Sequence, residues 1–387
     1  MGDVKPKILF ISERAGFAGG IERFICHTAR LLSGAGCEVY GQFDRPDRDA
    51  ERFLSAFSRV FTPEEPVDAD FAVIHKLADP ARLETLLARY GERLALYVHD
   101  HDLYCPRTYF YTPFGRKNCR RAYSMTRCGL CAMATSPRHW RGGFFPELAT
   151  RTVKCRRRLE LSKQVPRVAV LSEYMRGNLV MNGFDPARVA VIPPPVPVPA
   201  EVPPRPENDP ARLLFTGQLI RGKGVEQLLR ALPLVRHPYR LTIAGDGNLR
   251  PELEKLARDL GVADKVDFAG WVAAPEKLAA QCDVAVLPFF WQEPFGLVGP
   301  EAMGHELPVV AFRVGGVDEW LKDRENGLAV PPRDVEKFAS AIDELLADKA
   351  LRLRLGARGR ELVRERFSEA QYVRRFRAWM ECDGGAS

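Results

Sequence analysis

Three stretches of the chain carry residues whose types and spacing can do chemistry. The first is Trp291-Gln-Glu-Pro-Phe-Gly-Leu-Val-Gly-Pro-Glu-Ala-Met303, in which seven residues separate Glu293 from Glu301. The second is Gly217-Gln-Leu-Ile-Arg-Gly-Lys-Gly224, a Gly-rich loop holding Arg221 and Lys223. The third is His99-Asp-His-Asp102, directly behind the apolar run Leu94-Ala-Leu-Tyr-Val98. Basic residues in a loop that opens onto a helix N-terminus can clamp a diphosphate, by charge and by backbone N–H groups together. Carboxylates beside such an anion site suit the hydroxyls of a sugar. A histidine at a strand's carboxyl end can add a further hydrogen bond, since open α/β sheets bind ligands there. Each stretch also has a plainer reading: two solvated glutamates, two exposed basic residues in a turn, a structural histidine.

The elements that would position these groups follow from hydrophobic patterning. Asp283 to Phe290 reads as a buried strand of a parallel sheet, and Ala302 to Leu307 as a helix. Gly296, Gly299 and Pro300 sit at the junction. Arg212–Thr216 reads as a strand before the Gly217 loop, and Val225–Leu232 as the helix after it. Leu241–Gly245 and Val266–Val272 read as further strands. In the N-terminal half, strands are expected at 7–11, 37–43, 71–74, 94–98, 167–171 and 189–192. Helices are expected at Arg23–Leu32 and Pro80–Tyr90, and from Glu173 behind a Ser172 cap. The Gly-rich turn Gly16–Glu22 has phosphate-loop character, but its spacing departs from Gly-x-Gly-x-x-Gly, which speaks against an NAD-linked oxidoreductase. Residues 193–210 hold nine prolines in eighteen positions, an extended linker. A final helix, Glu369–Glu381, aligns Tyr372, Phe376 and Trp379 on one face, as core packing would require.

Taken together, Glu293-Pro-Phe-Gly-Leu-Val-Gly-Pro-Glu-Ala-Met303, Leu307-Pro-Val-Val-Ala311, Gly315-Gly316 and Glu325-Asn-Gly-Leu-Ala-Val-Pro331 resemble the retaining glycosyltransferases of family 4. The resemblance is strong from 212 to 332 and moderate before 200. It implies an α/β fold of the GT-B class, two Rossmann-like domains with parallel sheets facing across a cleft. The domains would be 1–195, with a Cys-rich basic insertion at 103–158, and 211–367. The linker would be 196–210, and a C-terminal helix within 368–387 would cross back to the first domain. The implied activity is transfer of a hexose, with retention, from a UDP- or GDP-type sugar nucleotide to a glycan or lipid-linked glycan acceptor in polysaccharide or lipopolysaccharide biosynthesis, with no cofactor required for catalysis. Carried over residue by residue, Glu293 would hold the sugar and Glu301 the ribose hydroxyls. Lys223, Arg221 and the amides of Gly296, Leu297 and Val298 would stabilise the leaving diphosphate, with Gly217 and Phe295 beside them. Gly19 and Gly20 would make backbone contacts, His99 would contact the transferred sugar, and Trp271 and Val272 would lie over the base. The family's frequent arginine in the second loop is Gln218 here. Asp-x-Asp pairs occur at 47/49, 68/70 and 100/102. In the other large glycosyltransferase fold such a pair binds a divalent cation, but only the third lies at a strand tip, and the basic groups make a cation unnecessary. A nucleotide-sugar epimerase or phosphorylase of the same fold, and a non-catalytic protein that keeps it, are the competing readings.

The totals fit this class. A chain of 387 residues is long for one core, and 46% apolar with 28% charged residues is ordinary for a soluble globular protein. No stretch approaches the roughly 18 apolar residues of a membrane span. The N-terminus runs from Lys5 straight into a strand, so a cytoplasmic location is expected, peripheral at the inner face of the membrane if the insertion touches lipid. Cys105, Cys119, Cys128, Cys131 and Cys155 fall within 51 residues. Cys128-Gly-Leu-Cys131 has zinc-ligand spacing, and with Cys105 and Cys119 it would make a closed structural tetrathiolate. Iron–sulfur ligation, a disulfide or unmodified thiols would use the same residues. Residues 116–158 hold twelve Lys/Arg against the single acid Glu147, a local charge of +11 in a chain of net +7. Aromatics, among them Tyr111, Trp140 and Phe145, are interleaved with these arginines. Such a segment can meet an anionic membrane surface or be a plain solvated loop; nucleic acid is not expected.

Overall fold

The structure, a computed structural model, describes residues 5–17, 19–108, 110–112, 117–133 and 144–381. Contacts divide the chain into two compact units, residues 1–194 with 372–387 and residues 195–371. The linker segment therefore groups with the second unit, and the last helix, from Tyr372 on, with the first.

The first unit is built on seven strands: β1 (Lys7–Ala15), β2 (Glu38–Pro46), β3 (Arg59–Phe61), β4 (Phe71–Ile74), β5 (Leu94–Val98), β6 (Arg167–Val170) and β7 (Val189–Val191). Their order is β3-β2-β1-β4-β5-β6-β7, every pair parallel. Consecutive residues of β1 and β5 are buried on both faces, which explains why they read as unbroken apolar runs rather than alternating ones. The crossover helices start at the punctuation the sequence provides. Pro80 opens the helix Pro80–Tyr90 while the Asp79 carboxylate accepts from the Ala81 amide. Ser172 Oγ accepts from the Met175 amide at the start of Glu173–Met181.

The second unit carries β8 (Ala211–Thr216), β9 (Tyr239–Ala244), β10 (Val266–Gly270), β11 (Val284–Leu287), β12 (Val309–Phe312) and β13 (Gly327–Val330). All are parallel, in the order β10-β9-β8-β11-β12-β13. In both units the winding reverses beside the first strand, between β1 and β4 and between β8 and β11. These reversals leave a crevice at the strands' carboxyl ends, where ligands bind in open α/β sheets. Both units are thus Rossmann-like.

Two elements flanking Glu293 differ from expectation. The strand read over 283–290 ends at Leu287, where Pro288 removes a ladder donor. The helix expected from Ala302 starts at Val298 and ends at Gly304. Pro300 sits in its first turn, where no donor is needed, and the Glu301 amide already closes onto the Leu297 carbonyl at 3.0 Å.

Candidate functional site

The loops after β8 and β11 meet at the switch point of the second unit. Arg221–Lys223 forms one tight turn and Gly224 follows with φ +75°. A Cβ there would lie 1.7 Å from the Pro288 carbonyl oxygen, so only glycine lets the two loops touch. The amides of Phe290 and Trp291 donate to the Gly222 carbonyl at 2.9 and 3.1 Å. Across this junction Lys223 Nζ donates to Glu293 Oε1 at 2.5 Å and lies 5.4 and 5.5 Å from the rings of Phe289 and Trp291. The Trp291 indole N–H donates to the same oxygen. Glu293 is almost fully buried, at 4% exposure. Its backbone is held by the Gly315-Gly316 turn: the Gly316 amide donates to the Glu293 carbonyl at 2.7 Å, and a Cβ on Gly315 would lie 2.1 Å from that oxygen.

The other residues named for this unit fall into distinct places. Arg221 is exposed and forms no ion pair among the described residues. Gly217, with φ +153°, packs against Gly245, whose added Cβ would strike the Gly217 carbonyl. Gly296 has φ +81°, Leu297 caps the short helix, and Val298 and Glu301, both half-exposed, lie in its first turn. The Phe295 side chain is in the core against Phe367, and its carbonyl accepts from the Trp320 indole at 2.6 Å, so this side chain is a packing residue. Trp271 stands 70% exposed, with half-exposed Val272 beside it, directly after the edge strand β10.

In the first unit, Gly19 caps and Gly20 opens the helix Gly20–Gly34. A Cβ on Gly20 would meet nothing, so crowding does not require glycine at that position. His99 is buried at the end of β5, stacked on Tyr97, with Nε2 2.9 Å from Nδ1 of His75 at the end of β4. His75 Nε2 is buried without a partner among the described residues. An orphaned imine nitrogen costs less than an orphaned N–H, so His75 donates through Nδ1–H and His99 keeps its proton on Nδ1. Burial holds the His75 pKa well below the usual histidine value, with His99 adding to the effect. Burial also brings His99 down to about 3, with the Lys76 charge adding to it. Both rings are neutral near pH 7. His75 went unnoticed in the sequence, although the rule that singles out His99, a polar residue just past a buried strand, applies to it equally.

The Asp100/Asp102 pair already has a cation. Lys76 Nζ lies 2.5 Å from Asp100 and 2.8 Å from Asp102, and Arg158 lies 3.5 Å from Asp102. Burial raises both carboxylic pKa values, but Lys76 outweighs it at Asp100, which titrates below the usual range, while Asp102 titrates above it. Arg158 comes from the helix Phe144–Ser162, and its guanidinium also donates to the Asp102 carbonyl. The basic insertion is thus tied to the loop that carries His99.

Cys105, Cys119, Cys128 and Cys131 are half-buried, and none forms a disulfide. Among the described residues no three His, Cys, Asp or Glu side chains are grouped to hold a metal ion. Burial pushes the Cys105 thiol up to about 11, raises Cys128 and brings Cys155 to about 12. Part of the insertion, residues 134–143, lies outside the described residues.

The comparisons with known proteins agree with this architecture. An uncharacterized glycosyltransferase of Methanocaldococcus jannaschii is 40% identical over 166 residues, 42% of this chain and 42% of that protein. The lipopolysaccharide core biosynthesis glycosyltransferase LpsE of Rhizobium meliloti is 39% identical over 156 residues, 40% of this chain and 45% of that protein. The matched stretch thus spans less than half the length of either relative. Among solved structures, Anabaena Alr3699/HepE in complex with UDP and glucose superposes with a TM-score of 0.71 at 18% identity, covering 96% of this chain and 98% of that one. The fold is that of the GT-B glycosyltransferases, and residues 201–362, most of the second unit, match the family described as glycosyl transferases group 1.

Proposed function

We propose that the protein is a retaining glycosyltransferase that moves a hexose from a UDP- or GDP-type sugar nucleotide to a glycan or lipid-linked glycan acceptor, without a divalent cation in the chemical step. The observation that carries this reading is the Lys223–Glu293 pair at the switch point of the second unit. Departure of a nucleoside diphosphate builds negative charge on the leaving oxygens. A preorganised cation beside that position lowers the barrier because its interaction grows as the charge develops. Lys223 is that cation in our reading, with Arg221 and the amides of Gly296, Leu297 and Val298 as further groups for the diphosphate. Glu293 accepts from sugar hydroxyls, and Glu301 from the ribose. In the same reading Gly217, Trp271 and Val272 contact the nucleotide, and Phe295 contributes backbone only. In the first unit, His99 offers the sugar a neutral Nδ1–H, and Gly19 and Gly20 offer backbone amides. Lys76 fills the place a metal would take between Asp100 and Asp102, which supports a cation-free reaction.

The relatives lend the substrate class. HepE is described with UDP and glucose bound, and LpsE as a lipopolysaccharide core enzyme. We extend a sugar-nucleotide donor and a surface-glycan acceptor to this chain on that basis. The test is turnover of UDP-glucose and GDP-mannose in EDTA. Glu293→Ala and Lys223→Ala should each lower kcat/KM about a hundredfold or more, with melting curves showing retained folding. Near-normal turnover in both variants would refute the assignment.

A further inference from the structure

Glu293 presents only half of its carboxylate to the described residues. Among them, its two side-chain hydrogen bonds, from Lys223 Nζ and from the Trp291 indole, both end on Oε1. Oε2 accepts no hydrogen bond from a described residue. The two donors differ in what they are free to do. Lys223 is flexible and half-exposed and carries the charge a diphosphate needs. Trp291 is fixed: its ring lies against Gly222, where an added Cβ would be 3.0 Å from ring carbons, and its amide is bonded to the Gly222 carbonyl. The indole N–H only donates, and it stays protonated at every working pH.

We propose that Trp291 is the positioning residue for Glu293: its indole N–H holds Oε1 while Lys223 turns to the diphosphate of the donor, and so leaves Oε2 aimed at the sugar hydroxyls. This rests on the sugar-nucleotide reading of the site. A buried carboxylate that loses its only partner is strongly destabilised. With Lys223 alone, binding the diphosphate would strand Glu293 at 4% exposure. A second, charge-assisted hydrogen bond that the ligand does not compete for removes that conflict. The sequence carries the device in two positions, Trp291 and Glu293, whose side chains meet because the chain turns sharply between the Gly222 and Gly316 contacts.

The experiment compares UDP with UDP-glucose, and GDP with GDP-mannose, by calorimetry on wild type, Trp291→Phe, Trp291→His, Glu293→Gln and the double variant Trp291→Phe/Glu293→Gln. Phenylalanine keeps the ring against Gly222 but removes the N–H; histidine retains a ring N–H. The proposal expects Trp291→Phe to bind the bare nucleotide within about twofold of wild type. It should lose the sugar nucleotide at least tenfold, with Trp291→His partly restored and the double variant no worse than Glu293→Gln alone. A Trp291→Phe that keeps the sugar's contribution, or weakens bare and sugar-bearing nucleotides equally, overturns the proposal. If Glu293→Gln also leaves the sugar's contribution intact, the reading of the site itself falls. Should Trp291→Phe not fold, the same comparison on Trp291→His decides: sugar-nucleotide affinity within threefold of wild type supports the N–H role, and a selective loss as large as that of Glu293→Gln rejects it.

Discussion

At the scale of single residues, the histidine pair makes the sharpest claim. His75 and His99 are held neutral by burial, His99 with a pKa brought down to about 3. In the unfolded chain each titrates near 6.5. Between those values the unfolded state binds more protons than the folded one, so stability is full above about pH 6.5 and is lost as pH falls toward 3. Urea midpoints should therefore drop between pH 7 and pH 4.5, and His99→Gln should flatten that slope; an unchanged slope would contradict the buried neutral pair. The same depression means that protonation of His99 should put no limb on the pH–rate profile between pH 5 and 8. His99 was legible in the sequence because it ends an apolar run. Its pairing with His75 was not, because which residues of β4 and β5 lie side by side is a matter of register, and register is not written in either strand alone. Trp291 and Glu293 were legible as types, but their hydrogen bond depends on a turn set by distant glycines.

At the scale of elements, the site is a junction of two loops that only small residues allow to meet. Gly224→Ala would force a methyl group against the Pro288 carbonyl and adopt φ +75° with a side chain. We expect a loss of roughly 1–3 kcal/mol or more, in the range for overpacking, read as a lower urea midpoint, and weakened nucleotide binding because Lys223 moves with the turn. Gly20→Ala, with open space around it, should leave the midpoint within about 0.5 kcal/mol. The strand positions were read well from the sequence because parallel strands covered on both faces are apolar throughout. Helix Val298–Gly304 was read four residues late. Its first turn holds Gly299 and Pro300, which signal a loop in isolation. Here Gly299 is needed because Trp320 lies over it, with ring atoms 2.2–2.6 Å from any added Cβ. Short β3 gave no signal, since three residues, two exposed and one half-exposed, carry no period.

At the scale of the whole molecule, charge and connectivity matter most. The positive charge concentrates in residues 116–158, and the helices there expose Leu130 and Val153 among arginines. No helix among the described residues is long and apolar enough to cross a membrane. If the insertion docks on lipid, vesicles containing phosphatidylglycerol should retain the protein at low salt and release it as ionic strength rises, because screening shortens the reach of such charges. Failure to bind at low salt would end that idea. The two-unit division could be drawn from the proline-rich stretch, but the assignment of residues 195–210 to the second unit could not. Arg205 donates to the carbonyls of Ala279, Cys282 and His305, and these are contacts that composition cannot reveal.

The last helix has a consequence for how the protein comes into being. Tyr372, Phe376, Trp379 and Met380 are buried in the first unit. There Tyr372 meets Phe24, Phe376 meets Phe10, Trp379 meets Tyr97, and the Thr28 hydroxyl donates to Tyr372 at 3.3 Å. The unit that begins the chain therefore lacks part of its core until residues 372–381 have been synthesised, while residues 195–371 have their own core complete before that. On the ribosome, the earlier of the two units to be translated would be the later to finish folding. Its exposed aromatic surface would wait through the synthesis of an entire domain, and that interval is when a chaperone would find it.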